Sequence, residues 1–178
     1  MKAIFFDRDG TLIVDPPDLR VDSSAELELL PDTLEALAKL SKLDFGVFLI
    51  SNQAGIGEGR ITRDEFTAIE DTFIKMLEPS GIKILKTYVC PHRPEDNCVC
   101  RKPKPFMILQ AAKEFDIDLA ESYMIGDRES DIMAGVNAGT KTILVQTGNN
   151  PVETNQATYV APDLRAAIQY LAAQPGQA

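Results

Sequence analysis

An α/β fold, with a mainly parallel sheet covered by helices on both faces, is predicted by three observations. Short apolar runs alternate with segments of helical period along the chain, the pattern of repeated strand–helix–strand crossovers. Three of those runs end on a polar residue, at Asp7, Ser51 and Asp127, where such sheets open their ligand crevice. The 178 residues are 44% hydrophobic and 25% charged, ordinary globular usage and enough for one domain with a single sizeable core.

Each element has its own signal. Lys2–Phe6 is an apolar run that reads as a buried strand ending at Asp7. Pro31 opens a helical pattern with Leu34, Leu37 and Leu40 on one face. Phe45–Ile50 is a second buried strand. Thr62 with Glu65 forms a capping-box signature, and Phe66, Ile69, Phe73 and Leu77 carry the helix on. Ile84–Val89 is a third strand, and a helix covers Pro105–Phe115 with Ile108 inward. Tyr123–Ile125 is a strand leading into Gly126-Asp127, followed by a helix over Ser130–Ala138 that stops at Gly139. Thr142–Val145 is a fifth strand and Thr158–Ala161 an edge strand. Asp163 caps a last helix bearing Leu164, Ile168 and Leu171. Residues 1–173 form the expected domain and 174–178 a flexible tail.

Composition excludes several function classes. Eighteen basic against 27 acidic residues, a net charge of −9, argues against a general nucleic-acid or anionic-membrane binder. No apolar stretch is long enough for a transmembrane helix, and Met1–Asp7 is too short for a signal peptide, so a soluble cytoplasmic protein is expected, as a monomer. The three cysteines and the only histidine all fall in one segment, Cys90-Pro-His92…Cys98-Val-Cys100. An odd cysteine number argues against a disulfide framework. Three thiolates and one imidazole complete the tetrahedral shell of structural Zn²⁺ and leave no position for an activated water. Zinc here staples a loop; chance clustering of three free thiols is the alternative.

Four segments carry chemistry. Asp7-Arg8-Asp9-Gly10-Thr11 places two carboxylates two apart on a turn; one can attack phosphorus, and the other can protonate the leaving oxygen and then deprotonate water. Taken alone, this spacing also suits a solvated Asx-turn. Ser51-Asn52 offers a hydroxyl and an amide for phosphate oxygens, or a polar loop. Arg101-Lys102-Pro103 brings cations in directly after the zinc segment, where Lys102 can neutralise phosphate and nucleophile. Gly126-Asp127…Asp131 adds carboxylates: Asp127 with the first pair can hold Mg²⁺, and Asp131 either orients Lys102, supports the metal shell or starts the next helix. A phosphate dianion approaches several carboxylates only where a metal and a lysine offset them, so the four together indicate phosphoryl transfer.

These segments match, in order, the four motifs of the haloacid dehalogenase superfamily of phosphatases. The Cys90…Cys100-Arg101-Lys102-Pro103 run resembles the histidinol-phosphate and heptose bisphosphate phosphatase group within it. The resemblance spans about residues 1–150 and implies a Rossmann-like three-layer sandwich. It implies Asp7 as nucleophile and Mg²⁺ ligand, and Asp9 as general acid/base that also gives the metal a main-chain carbonyl. Ser51 and Lys102 would hold the transferring phosphate with Asn52 nearby, and Asp127 would complete the Mg²⁺ shell. Arg101 would touch the rest of the substrate; Asp131 and Arg128 would lie behind the metal ligands. The intervals Thr11–Ser51 and Ser51–Lys102 leave no room for a separate cap domain, so residues 14–24, 55–61 and the zinc loop must contact a small phosphorylated metabolite. Residues 14–22 resemble the histidinol-phosphate enzymes, as does the short zinc spacer. Residues 53–62, with Gly139-Thr140-Lys141 and Gln146-Thr147-Gly148, resemble the heptose bisphosphatases, and more of the chain follows that second pattern. A non-catalytic zinc-stapled binding module is the alternative of another class, and it would need neither the nucleophile nor Lys102.

Overall fold

The computed structural model describes residues 1–16, 20–149, 152 and 154–175. Six parallel strands form one sheet: β1 (Ala3–Phe6), β2 (Gly46–Asn52), β3 (Ile84–Cys90), β4 (Tyr123–Gly126), β5 (Lys141–Val145) and β6 (Tyr159–Ala161), in the order β3-β2-β1-β4-β5-β6. The chain runs outward from β1 through β2 to β3, then returns to lay β4 on the other side of β1. That reversal makes the β1–β4 boundary a topological switch point, where loops diverge beyond the strand ends and leave a crevice. Asp7 and Asp127 follow these two strands directly, and the Asp7 amide donates to the Ile125 carbonyl at 2.9 Å.

Alternation along the strands divides the core. Ile4, Phe6, Val47, Leu49, Ile125 and Ile143 face one layer, formed by α1 (Thr33–Leu40), α3 (Arg63–Leu77) and α6 (Leu164–Ala172). Ala3, Phe5, Phe48, Ile50 and Met124 face the other, formed by α4 (Phe106–Phe115) and α5 (Glu129–Ala138). Strands buried on both faces read as continuous apolar runs because neither side meets water. A four-residue helix, α2 (Ala54–Gly57), follows β2. No separate cap domain occurs among the described residues, in accord with the element count.

The predicted elements are present, with shifted ends. α1 begins at Thr33 rather than Pro31, because Asp32 takes a left-handed conformation (φ 64°) and closes the preceding turn. Its buried face is Ala36, Leu37 and Leu40, with Leu34 only partly covered. The capping box of α3 forms in both directions, Thr62 accepting from the Glu65 amide and Glu65 from the Thr62 amide. Asp131 does not start α5: Arg128 is the N-cap, and Asp131, the third helical residue, accepts from its amide at 3.0 Å. Asp163 caps α6 as expected. Gln174 is tied back to α6 through Leu171 and Tyr170, while 176–178 of the predicted tail lie outside the described residues, as do 17–19 of the loop 14–22.

Candidate active site

The crevice sits over β1 and β4. Its floor is the buried Asp7, whose carboxylate lies 2.7 Å from the Lys102 ammonium. Lys102 also forms an ion pair with Asp131 at 2.6 Å and donates to the Ile50 carbonyl at 2.8 Å, so two carboxylates and a carbonyl surround its ammonium. Burial pulls the Lys102 ammonium down, but Asp131 and Asp7 outweigh it and lift it to about 12. Lys102 therefore stays cationic. Asp127 completes an acidic cluster: carboxylate oxygens of Asp7, Asp127 and Asp131 lie within 4.8 Å of one another. Burial raises Asp7 well above the carboxylate range, with Asp131 adding repulsion and Lys102 opposing it. Burial likewise pushes Asp127 up to about 6, again with Asp131 repelling it.

Backbone space makes this possible. A Cβ at Gly10 or Gly148 would collide with the Asp127 carboxylate, and Gly10 has φ +81°, open to glycine at little cost. Thr11 fixes the same carboxylate by donating to Oδ1 at 3.1 Å. Three hard oxygen donors converge with more negative charge than one lysine offsets, a donor set that suits a hard divalent cation such as Mg²⁺.

The second predicted cluster also assembles. Cys90 ends β3, and its sulfur lies 3.4 Å from that of Cys98; Cys100 lies 3.5 Å from Cys98 and 3.3 Å from His92 Nδ1. A tetrahedron built on Zn–S bonds of about 2.3 Å has edges somewhat under 4 Å, so the four atoms fit one zinc ion. Burial drives the Cys90 thiol up to about 12; Cys98, hydrogen-bonded by Cys90 and Cys100, falls to about 7 against the opposing effect of burial. The loop so formed delivers Arg101, which donates to the His92 carbonyl at 3.2 Å, and Lys102 next to it.

Comparison with known proteins places this geometry. A family model described as "HAD-hyrolase-like" matches residues 99–167. The chain is 39% identical over 171 residues to the D-glycero-beta-D-manno-heptose-1,7-bisphosphate 7-phosphatase of Helicobacter pylori, covering 96% of this chain and 97% of that one. The chain belongs to this family of haloacid dehalogenase-like phosphatases. The histidine biosynthesis bifunctional protein HisB of Campylobacter jejuni is also similar, 36% identical over 79% of this chain but only 40% of its own length. Among solved structures, the D,D-heptose 1,7-bisphosphate phosphatase of B. bronchiseptica, complexed with magnesium and phosphate, superposes with a TM-score of 0.88 at 36% identity, over 96% of this chain and 98% of that one.

The phosphatase brings most of its sequence-predicted residues to one place. Asp7, Asp9, Asn52, Arg101, Lys102, Arg128 and Asp131 line a cavity of about 130 Å³, room for a phosphoryl group with the rest of a substrate outside. Ser51 and Asp127 are buried, Asp127 with its carboxylate clustered on Asp7 and Asp131 of that lining. Ser51 accepts from Gln53 Nε2 at 2.8 Å. Asn52 spends both ends of its side-chain amide on the Lys102 main chain, donating to its carbonyl at 3.2 Å and accepting from its amide at 3.0 Å. It thus holds the Lys102 backbone, the second support of that residue beside the zinc loop. Asp9 turns its carboxylate to Arg8 and to Gln53 Nε2, the latter at 2.7 Å.

What the arginines at the site of the phosphatase touch does not follow from the sequence motifs. Arg8, between the two motif aspartates, is fully buried and grips Asp9. Arg128 reaches the buried Asp15, its Nη2 donating to both carboxylate oxygens, at 2.8 and 3.0 Å, and Arg20 joins the cavity lining from the loop. An arginine inside a strand-end carboxylate pair is itself a signal, since it has nowhere to go but inward or across the crevice.

The acidic cluster of the phosphatase makes a pH prediction. Asp127 is raised from 3.8 to about 6, so its ionisation costs more in the fold than in the unfolded chain, and stability on its account falls as pH rises from about 4 to about 6. In metal-free buffer, Asp127→Asn should therefore melt above the wild type at about pH 7 and lose that advantage near pH 4. Thermal denaturation at the two pH values checks this; an Asn variant less stable at neutral pH would contradict it.

Proposed function

We propose that this chain is a Mg²⁺-dependent phosphatase that removes the 7-phosphate of D-glycero-D-manno-heptose 1,7-bisphosphate through an aspartyl-phosphate on Asp7. One observation carries the chemistry: a carboxylate buried at the switch point, paired with a lysine that keeps its charge, beside two further carboxylates. Asp7 attacks phosphorus; Lys102 offsets the negative charge that nucleophile and phosphate bring together. Ser51 donates to a phosphate oxygen, and Asn52 keeps Lys102 in place. Asp9 gives its proton to the leaving sugar oxygen and takes one from the water that opens the intermediate. Asp7 and Asp127, with the Asp9 carbonyl, would hold Mg²⁺, which when bound offsets the phosphate dianion's charge in this acidic cleft. Cys90, His92, Cys98 and Cys100 would hold Zn²⁺ as a crosslink, which implies a reducing compartment such as the cytoplasm.

The rim of the crevice supports a bisphosphate. Arg20, Arg101 and Arg128 line it together, Arg20 held by Glu58 at 3.0 Å and Arg128 by Asp15 at 2.8 Å, and guanidinium groups so oriented are well matched to a second phosphate. Histidinol phosphate would instead present an ammonium to these cations. The relatives that match nearly end to end are heptose bisphosphatases, which agrees with that electrostatic preference. The test is kcat/KM for heptose 1,7-bisphosphate against histidinol phosphate, with and without Mg²⁺. We expect the bisphosphate to be preferred by about 100-fold or more, a range that unmatched charged groups readily supply. Equal or better turnover of histidinol phosphate would overturn the substrate assignment.

A further inference from the structure

Asp9 does not stand free in the crevice. Arg8 Nε donates to its Oδ1 at 3.1 Å and Arg8 Nη2 to its Oδ2 at 3.2 Å. The third face of the guanidinium points the other way: Nη1 donates to Glu70 Oε2 at 3.1 Å, inside the protein. Glu70 is itself held, its Oε1 accepting from the Thr87 hydroxyl at 2.9 Å. The Phe66 ring lies 5.7 Å from the guanidinium carbon. A chain of contacts thus runs from β3 (Thr87) through α3 (Glu70) to the turn after β1 (Arg8), and ends on the Asp9 carboxylate.

The arrangement is costly without a purpose. Arg8 is 1% exposed and Glu70 7% exposed, and buried charges lose their hydration, which pairing must offset. Glu70 lies on the apolar stripe of α3 with Ile69, Phe73 and Leu77, where an apolar residue would pack without that cost. The Arg8 carbonyl also accepts from the Leu12 amide at 2.9 Å, which fixes the backbone of the turn. With backbone and far side of the guanidinium both anchored, only the Nε–Nη2 edge is left to face Asp9, in one orientation. A rigid planar fork of this kind sets direction as well as charge.

We propose that Glu70 is a positioning residue for proton transfer: it fixes Arg8, and Arg8 aims the Asp9 carboxylate at the oxygen of the leaving alcohol. This rests on the reading of Asp9 as acid and base. In the first step an Asp7 oxygen bonds to phosphorus, the ester P–O bond breaks, and the Asp9 proton goes to the departing oxygen. In the second, water bonds to phosphorus, its proton goes to Asp9, and the Asp7–phosphorus bond breaks.

The test uses leaving groups, because kcat/KM reports events up to departure of the alcohol. A primary alkyl phosphate needs the proton; p-nitrophenyl phosphate, with an acidic phenol, needs little help. Glu70→Met removes both acceptors at similar length. It should lower kcat/KM about 10- to 100-fold for the alkyl phosphate that the wild type hydrolyses best, part of what general acid catalysis supplies. The same variant should stay within about threefold for p-nitrophenyl phosphate, with KM for the alkyl ester little changed. Glu70→Gln, which retains an acceptor for Arg8 and a group for Thr87, should restore most of the loss. Thr87→Val should show the same selectivity more weakly, and it supplies the test should Glu70→Met not fold. Asp9→Asn is the control. If it shows the selective loss and the Glu70 and Thr87 variants do not, the positioning role is wrong. If Asp9→Asn lowers both substrates equally, the acid role itself fails. Equal losses on both substrates in Glu70→Met would mark Glu70 as merely structural and overturn the proposal.

Discussion

Asp7→Asn is expected to lower phosphate release by about 10⁴-fold or more, the scale of deleting a nucleophile from a covalent mechanism, while the chain stays folded. The amide keeps the shape of the carboxylate but cannot attack phosphorus. Stability should not suffer, because the wild-type carboxylate is buried against Asp131 and Asp127 with one lysine between them. Removing its charge relieves repulsion, and Lys102 keeps its pair with Asp131 and its bond to Ile50. Metal-free Asp7→Asn should therefore melt at or above the wild-type temperature. A site that stores repulsion for function gains stability when disarmed. Residual turnover within tenfold of wild type would mean that another group attacks phosphorus.

Cys100→Ser should reduce bound zinc from about one per chain to almost none, and kcat/KM about 100-fold, with the helix and sheet signals of far-UV circular dichroism retained. Residues 92–97 of the loop are exposed and lend little apolar surface to the core. Its order thus depends on the four ligands and a few surface bonds, such as those from Lys104 to the Asn97 and Cys98 carbonyls. Structural zinc contributes about 10–16 kcal/mol in small zinc modules, far more than such bonds. Lys102 stands two residues beyond Cys100; a misplacement of about 1 Å at a catalytic centre costs on the order of 100-fold. The Asn52 clamp limits the damage to the loop and spares the fold. Metal analysis and steady-state kinetics on one preparation decide the matter. Zinc loss with full activity would separate the staple from the site.

How much of this was legible in the sequence depends on distance along the chain. Strands buried on both faces announce themselves as apolar runs, and the residues that end them, Asp7, Ser51 and Asp127, fall at the crevice by topology alone. The zinc ligands were legible because all four lie within eleven residues. The supports were not. Arg8 meets Glu70 from 62 positions away and Arg128 meets Asp15 from 113, and only packing of α3 on β1 and β3, or of the loop after β1 on α5, creates those pairs. One trace was there to read: Glu70 follows Ile69 and precedes Phe73 on the stripe that includes Phe66, an acid where helical period calls for an apolar side chain. Such an acid needs a buried cation, and Arg8 is the one that meets it. The short α2 gave no periodic signal, because four residues with two glycines have none to give.

The most direct test of the account is to capture the phosphoryl group on Asp7. Asp9→Asn, mixed with Mg²⁺ and p-nitrophenyl phosphate, whose phenol leaves with little help from Asp9, and quenched in acid within the first turnover, should yield a peptide spanning residue 7 heavier by one phosphoryl group. The label should vanish in the Asp7→Asn, Asp9→Asn double variant. A phosphoryl group found on another residue, or phosphate released in that first turnover with no labelled peptide at any quench time, would contradict it.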